Sequence, residues 1–164
     1  MKTCVLLAPG PSLTREICDT VRAQLVGVIG NAFELCPDAD FLVATDAAWW
    51  RKHPAAMRYA GARFSASSLA GVQRVTNGRT DWSSGVLALQ TAVNLGATHI
   101  DLYGFDMHGT HFFGPYENGL TNTTAARRSV HQRQFATWKL MHPDITVRNR
   151  TEGSQLQAYP CHAE

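Results

Sequence analysis

Residues 4–8, Cys-Val-Leu-Leu-Ala, run straight into Pro9-Gly10-Pro11-Ser12, after which Leu13, Ile17 and Val21 recur at helical spacing. A short apolar run stopped by prolines reads as a buried strand, and the spacing behind it as an amphipathic helix. That helix, over 12–23, has Ser12 or Thr14 to cap it and Glu16 in its first turn, where a negative charge suits the helix dipole. The same change of pattern repeats along the chain. Strands are expected at 25–29, ending in Gly30-Asn31, and at 41–45, ending in Thr45-Asp46. Asp46 is placed to cap a short helix through Trp49 and Trp50, and weak strands at 62–65 and 72–75 flank a polar turn. Ser83 and Ser84 precede the clearest helix, 85–94, and Gly96 is placed to end it with a left-handed residue. A strand at 100–103, a helix at 123–141, a strand at 145–147 and a short tail element at 153–158 complete the series. This alternation predicts a three-layer, Rossmann-like α/β domain with a mainly parallel sheet. The Gly-, Asn- and His-rich segment 105–122 breaks the rhythm. Loops of that length in a small domain are often functional lids.

Composition narrows the classes. The 164 residues, 45% apolar, suffice for one domain, 1–164, with a sizeable core. A net charge of +2, with 17% charged residues and no basic run, argues against a nucleic-acid partner. Cys4, Cys18, Cys36 and Cys161 form no CxxC and no close His-Cys pair, which argues against zinc. Cys4 and Cys18 fall where thiols act as small core residues. With no signal-peptide pattern and no apolar run long enough for a membrane span, a reduced, cytoplasmic protein is expected.

In open α/β sheets, ligands bind beyond the carboxyl ends of the strands. Four such ends are polar: Pro9-Gly10-Pro11-Ser12, Gly30-Asn31, Thr45-Asp46 and Gly104-Phe105-Asp106. Ser83-Ser84-Gly85 opens a helix, whose free N–H groups suit an anion. Each piece alone is an ordinary turn or cap, and no P-loop lysine or GxGxxG is present. Together they outline a nucleotide pocket. Asp106, His108 and His111 admit a metal reading as well, although helix-borne metal spacing is absent. Of Trp49 and Trp50, one is expected in the sheet packing and the other at a pocket or subunit contact, since adjacent helical residues do not share a face. Phe112 and Phe113 pose the same choice between a closing lid and an oligomer interface.

"GPSL" after the first strand, "GNAF" after the second, "SSGVLALQTAVNLGATHIDLYGFDMHG" and a late His-bearing helix appear in an order that resembles bacterial lipooligosaccharide sialyltransferases. The chain also looks like the wider superfamily of 6-hydroxymethylpterin diphosphokinase-like proteins, in what resembles a phage or prophage branch. The resemblance is strongest over 5–32 and 83–108. It implies a nucleotide-activated sugar donor, contacted by Gly10, Ser12, Asn31, Ser84 and Gly85, with Asp46 standing where the family has Asn. It implies His131 as general base, no required cofactor, and a homo-oligomer. Pro9 replaces a family Asn. His108, with His111 or Tyr116, stands in for the tyrosines that steady the leaving phosphate.

Transfer to an acceptor hydroxyl needs a base and a stabiliser of the departing phosphate. His131, with an ordinary pKa of about 6.5, suits the first role. His108, His111 or Tyr116 suits the second, with Arg127, Arg128 or Arg133 adding charge. Two other readings stand beside glycosyl transfer: a phage protein that binds a nucleotide without turnover, and a magnesium-dependent pyrophosphokinase. The acceptor is not specified by any of these residues.

Overall fold

The computed structural model describes residues 1–162. Seven strands form one sheet in the order β5-β4-β3-β2-β1-β6-β7: β1 (Thr3–Leu7), β2 (Leu25–Ile29), β3 (Phe41–Val43), β4 (Ala62–Ser65), β5 (Gln73–Arg74), β6 (His99–Tyr103) and β7 (Thr146–Asn149). All six neighbouring pairs are parallel. The fold is therefore α/β and Rossmann-like. The chain builds outward from β1 to β5, then α3 (Ser84–Asn94) carries it back so that β6 pairs with the free side of β1. That reversal puts a crevice beyond the ends of β1 and β6.

Strand alternation sorts the core into two halves. Cys4 and Leu6 of β1 pack with Val86, Leu89, Phe135 and Trp138, under α3 and α4 (Ala125–Met141). Val5 and Leu7 pack with Leu13, Cys18, Phe33, Trp49 and Trp50 on the opposite face, under α1 (Arg15–Thr20) and α2 (Ala47–Lys52). Burial pushes the Cys4 thiol up to about 12, as befits an inert core residue. No described helix is long and apolar enough to cross a membrane.

Several boundaries differ from the expected ones, each for a local reason. Helix α1 starts after Thr14, whose hydroxyl accepts from the Ile17 N–H at 3.2 Å, because the Ser12 hydroxyl is engaged elsewhere. Residues 10–13 form a turn instead, with Leu13 N–H on the Gly10 carbonyl at 3.1 Å. A 3-10 helix, Gly30–Glu34, follows β2 directly. The expected strand 72–75 shrinks to two residues, and it runs parallel to β4. Helix α3 ends as foreseen: Gly96 has φ +98°, its N–H reaches the Val93 carbonyl at 2.9 Å, and Ala97 N–H reaches Ala92 at 3.0 Å. Among the described residues the tail after β7 has no helix; it plugs the sheet edge with buried Leu156 and Tyr159, and Cys161 bridges to Asn149. Segment 105–122 contains no helix or strand.

Candidate functional site

A cavity of about 350 Å³ opens at the β1/β6 crevice. Its floor is the ends of β1, β2, β3 and β6; α3 and α4 supply one wall, and the 105–122 loop the other. Two helix starts meet there. Ser83 caps α3 by accepting from Val86 N–H at 3.4 Å, and the N–H groups of Ser84 and Gly85 in the first turn have no backbone acceptor. Thr124 caps α4, accepting from Arg127 N–H at 3.1 Å. Gln134 of α4 locks the two together: its Oε1 accepts from Ser83 N–H at 2.8 Å and its Nε2 donates to the Asp81 carbonyl at 2.7 Å.

Helical spacing brings Arg127, Arg128, His131 and Phe135 to the same cavity wall. Burial, then the charges of Arg127 and Arg128, hold His131 below the usual imidazole value; Asp46 partly opposes them. Arg128 also donates to the Gly109 carbonyl, tying the loop to α4. Arg133 is exposed and outside the cavity lining.

Of the residues expected to contact a nucleotide, Gly10, Asp46, Ser84, Gly85 and Asp106 line the cavity. Pro11, Ser12 and Asn31 do not. Pro11 is exposed on the turn. Ser12 is held by Asp106, whose Oδ1 accepts from its hydroxyl at 2.8 Å and its N–H at 3.3 Å. Asn31 is buried behind Trp49 as a structural hub. Its Oδ1 accepts from the Trp49 indole at 2.9 Å, and its Nδ2 donates to Glu34 at 2.9 Å and His53 Nε2 at 3.1 Å. His53 is fixed for this, since its Nδ1 donates to the Trp49 carbonyl at 2.7 Å.

The glycines have a different reason from ligand approach. A Cβ on Gly10 would sit 2.1 Å from both the Gly104 carbonyl oxygen and Asp106 Oδ1. Beyond the strand ends the two loops stay paired, with Gly10 N–H on the Gly104 carbonyl at 3.0 Å. Gly85 has no Cβ because Phe135 and Phe105 press on it, at 2.9 and 3.1 Å from that position.

His108, His111, Tyr116 and His131 all line the cavity, but their freedom differs. His111 donates to the Gly114 carbonyl at 3.0 Å and stacks on Phe113 at 4.6 Å. Burial lowers its pKa. The Tyr116 hydroxyl points at Asn31 Oδ1, 3.5 Å away, and burial pushes its pKa up to about 12. Among the described residues no hydrogen bond to His108 is made, which leaves it the freest donor of the three on the loop. Among the described residues no three His, Cys, Asp or Glu side chains gather as a metal-binding group, so Asp106, His108 and His111 are not a ligand set.

Both tryptophans are buried, and they divide as expected, Trp50 into the sheet packing and Trp49 onto the cavity. Trp50 donates to the Ala44 carbonyl at 3.0 Å against the sheet, while Trp49 packs between Phe33, His53 and the cavity, because the 3-10 helix after β2 closes over its far side. Phe112 packs toward the core and Phe113 is 38% exposed. Trp82, half-buried in the cavity lining, escaped the sequence reading. Trp82 had a visible signal: an aromatic residue directly before the Ser-Ser-Gly helix start.

Thr45 N–H donates to Ser84 Oγ at 3.0 Å. Ser84→Ala leaves that donor without its acceptor, so a loss of about 1–3 kcal/mol in unfolding free energy is expected, with the folded state retained. Urea titration measures it; an unchanged midpoint would remove the bond as a link between β3 and α3.

Comparison of the chain with protein-family models, with curated proteins and with solved structures finds no match.

Proposed function

We propose that the cleft binds a nucleotide or nucleotide-activated sugar and that the protein is a glycosyltransferase of sialyltransferase-like type, with His131 as general base. The observation that supports this most is the convergence of Arg127, Arg128 and the first turn of α3 on one aromatic-walled cavity at the strand reversal. Arginine and free N–H groups are what a phosphate needs, and such crevices are where α/β folds place nucleotides.

In this reading His131, largely neutral near pH 7, takes the proton of an acceptor hydroxyl. The acceptor oxygen attacks the anomeric carbon, the bond from that carbon to the phosphate oxygen breaks, and the nucleotide leaves with the electron pair. Arg127, Arg128 and His108 stabilise the negative charge that develops on it. The roles first given to His111 and Tyr116 pass to these residues, since His111 is tied to the Gly114 carbonyl and the Tyr116 hydroxyl points at Asn31.

The pyrophosphokinase alternative needs magnesium with ATP. Of the two cavity carboxylates, Asp106 is engaged by Ser12 and only Asp46 is free to join such an ion, so the donor set is thin. The non-catalytic alternative differs only in turnover.

A thermal-shift screen of CMP, CDP, UDP, ATP and nucleotide sugars, with and without magnesium, tests the reading. A nucleotide at 100 times its Kd should stabilise the protein by about 2.7 kcal/mol. Stabilisation by nucleotide sugars without magnesium supports glycosyl transfer. A shift with ATP that requires magnesium supports the kinase, and no shift with any nucleotide overturns both.

A further inference from the structure

The cavity lining holds two carboxylates with opposite circumstances. Asp106 is buried, and its Oδ1 is taken by Ser12. Asp46 is exposed; it occupies the cap position of α2, yet its side chain makes no capping hydrogen bond. The ion pairs among the described residues are Arg79–Asp81 and Arg150–Asp101, so Asp46 is in none of them. A free carboxylate beside an arginine-lined anion site would repel a phosphate. It accepts hydrogen bonds, and it has no donor of its own to offer.

We propose that Asp46 selects the sugar of the ligand: the cleft takes a ribonucleotide rather than a deoxyribonucleotide, and Asp46 accepts hydrogen bonds from the 2′- and 3′-hydroxyls. This rests on the nucleotide reading above and goes further by assigning the sugar.

The spacing favours the sugar over the base. Asp46 directly follows Thr45, whose N–H and hydroxyl lie 3.0 and 3.4 Å from the Ser84 hydroxyl in the first turn of α3. A phosphate seated on that turn therefore lies beside the residue that precedes Asp46, and Asp46 lines the same cavity as the turn. Donors on a base edge lie a whole sugar further from the phosphate. Asp46 and His131 line the same cavity, so Asp46 borders the ligand volume and not bulk solvent alone.

Isothermal titration of the full chain with CMP, AMP and their 2′-deoxy counterparts, in EDTA and in magnesium, tests the assignment. The wild-type protein is expected to bind the ribonucleotide about tenfold or more tightly, the scale of hydrogen bonds to a charged group. Asp46→Ala, which removes no capping bond and whose fold is checked by circular dichroism, is expected to bring that ratio close to one. Its affinity for the deoxy form should be equal or higher, because a repulsive charge is gone. Equal binding of ribo and deoxy forms by the wild type overturns the role of Asp46 and leaves the nucleotide reading standing. A ratio that survives Asp46→Ala overturns it too, as does a preference seen only with magnesium. Absence of binding by every nucleotide overturns the nucleotide reading itself, and this assignment with it.

Discussion

Replacing Gly10 by alanine is expected to destabilise the protein by at least about 4 kcal/mol, the exceptional end of the range for one substitution. The added methyl would lie 2.1 Å from the Gly104 carbonyl oxygen and from Asp106 Oδ1. The carbonyl is backbone of the neighbouring loop and cannot rotate away. Gly104 cannot yield either: it has φ +77°, and its own Cβ position is 2.0 Å from the Ala8 carbonyl oxygen. Against a total stability of about 5–15 kcal/mol, much of the chain would be unfolded or insoluble at 37 °C. Urea denaturation followed by circular dichroism measures the loss. Pro11→Ala is the control, since Pro11 is exposed and outside the cavity; its effect should stay within about 1 kcal/mol. A Gly10→Ala protein of near wild-type stability would mean that the two loops do not touch as described.

The second large effect is chemical. His131→Ala is expected to lower turnover of a nucleotide-sugar donor by about 10²–10⁴-fold, the contribution of a positioned base, while nucleotide affinity changes little. The pH profile carries a sharper signature. The base works unprotonated, so activity rises as pH climbs through the His131 pKa and then levels off. Burial and the two arginines lower that pKa, so the rise should lie on the acid side of about 6.5. Arg127→Ala or Arg128→Ala removes a repelling charge and should move the rise to higher pH, besides weakening nucleotide binding. Donor turnover by His131→Ala at the wild-type rate would take the base role away from it. Tight nucleotide binding by the wild type with no donor ever consumed would favour the non-catalytic alternative.

Legibility followed distance along the chain. The run 4–8, the capped helix after Ser83 and its stop at Gly96 were readable because each depends on neighbours within a turn or two. The strand ends were readable as a group for the same reason: Pro9-Gly10, Thr45-Asp46 and Gly104-Phe105-Asp106 are where the apolar runs stop, and they do line one cavity. Ser12 and Asn31 look no different in sequence from Ser84 and Asp46. What separates them is a partner far along the chain. Ser12 meets Asp106, 94 positions later, and Asn31 meets His53 and Tyr116, the latter 85 positions away.

The sequence by itself determined the class of the fold, since hydrophobic periodicity and capping are local properties that a parallel α/β sheet has to display. It also placed Arg127 and Arg128 four and three residues before His131 in one expected helix, the spacing at which helical side chains are neighbours. The tertiary structure decided which polar groups are left for a ligand. Placing β6 beside β1 brings Asp106 to Ser12 and makes Gly10 a packing glycine. Folding the 3-10 helix onto α2 buries Asn31 against Trp49. A buried hydrogen-bonding group is satisfied by whatever the fold brings next to it. Asp46, at a strand end where the fold brings nothing, keeps its carboxylate free.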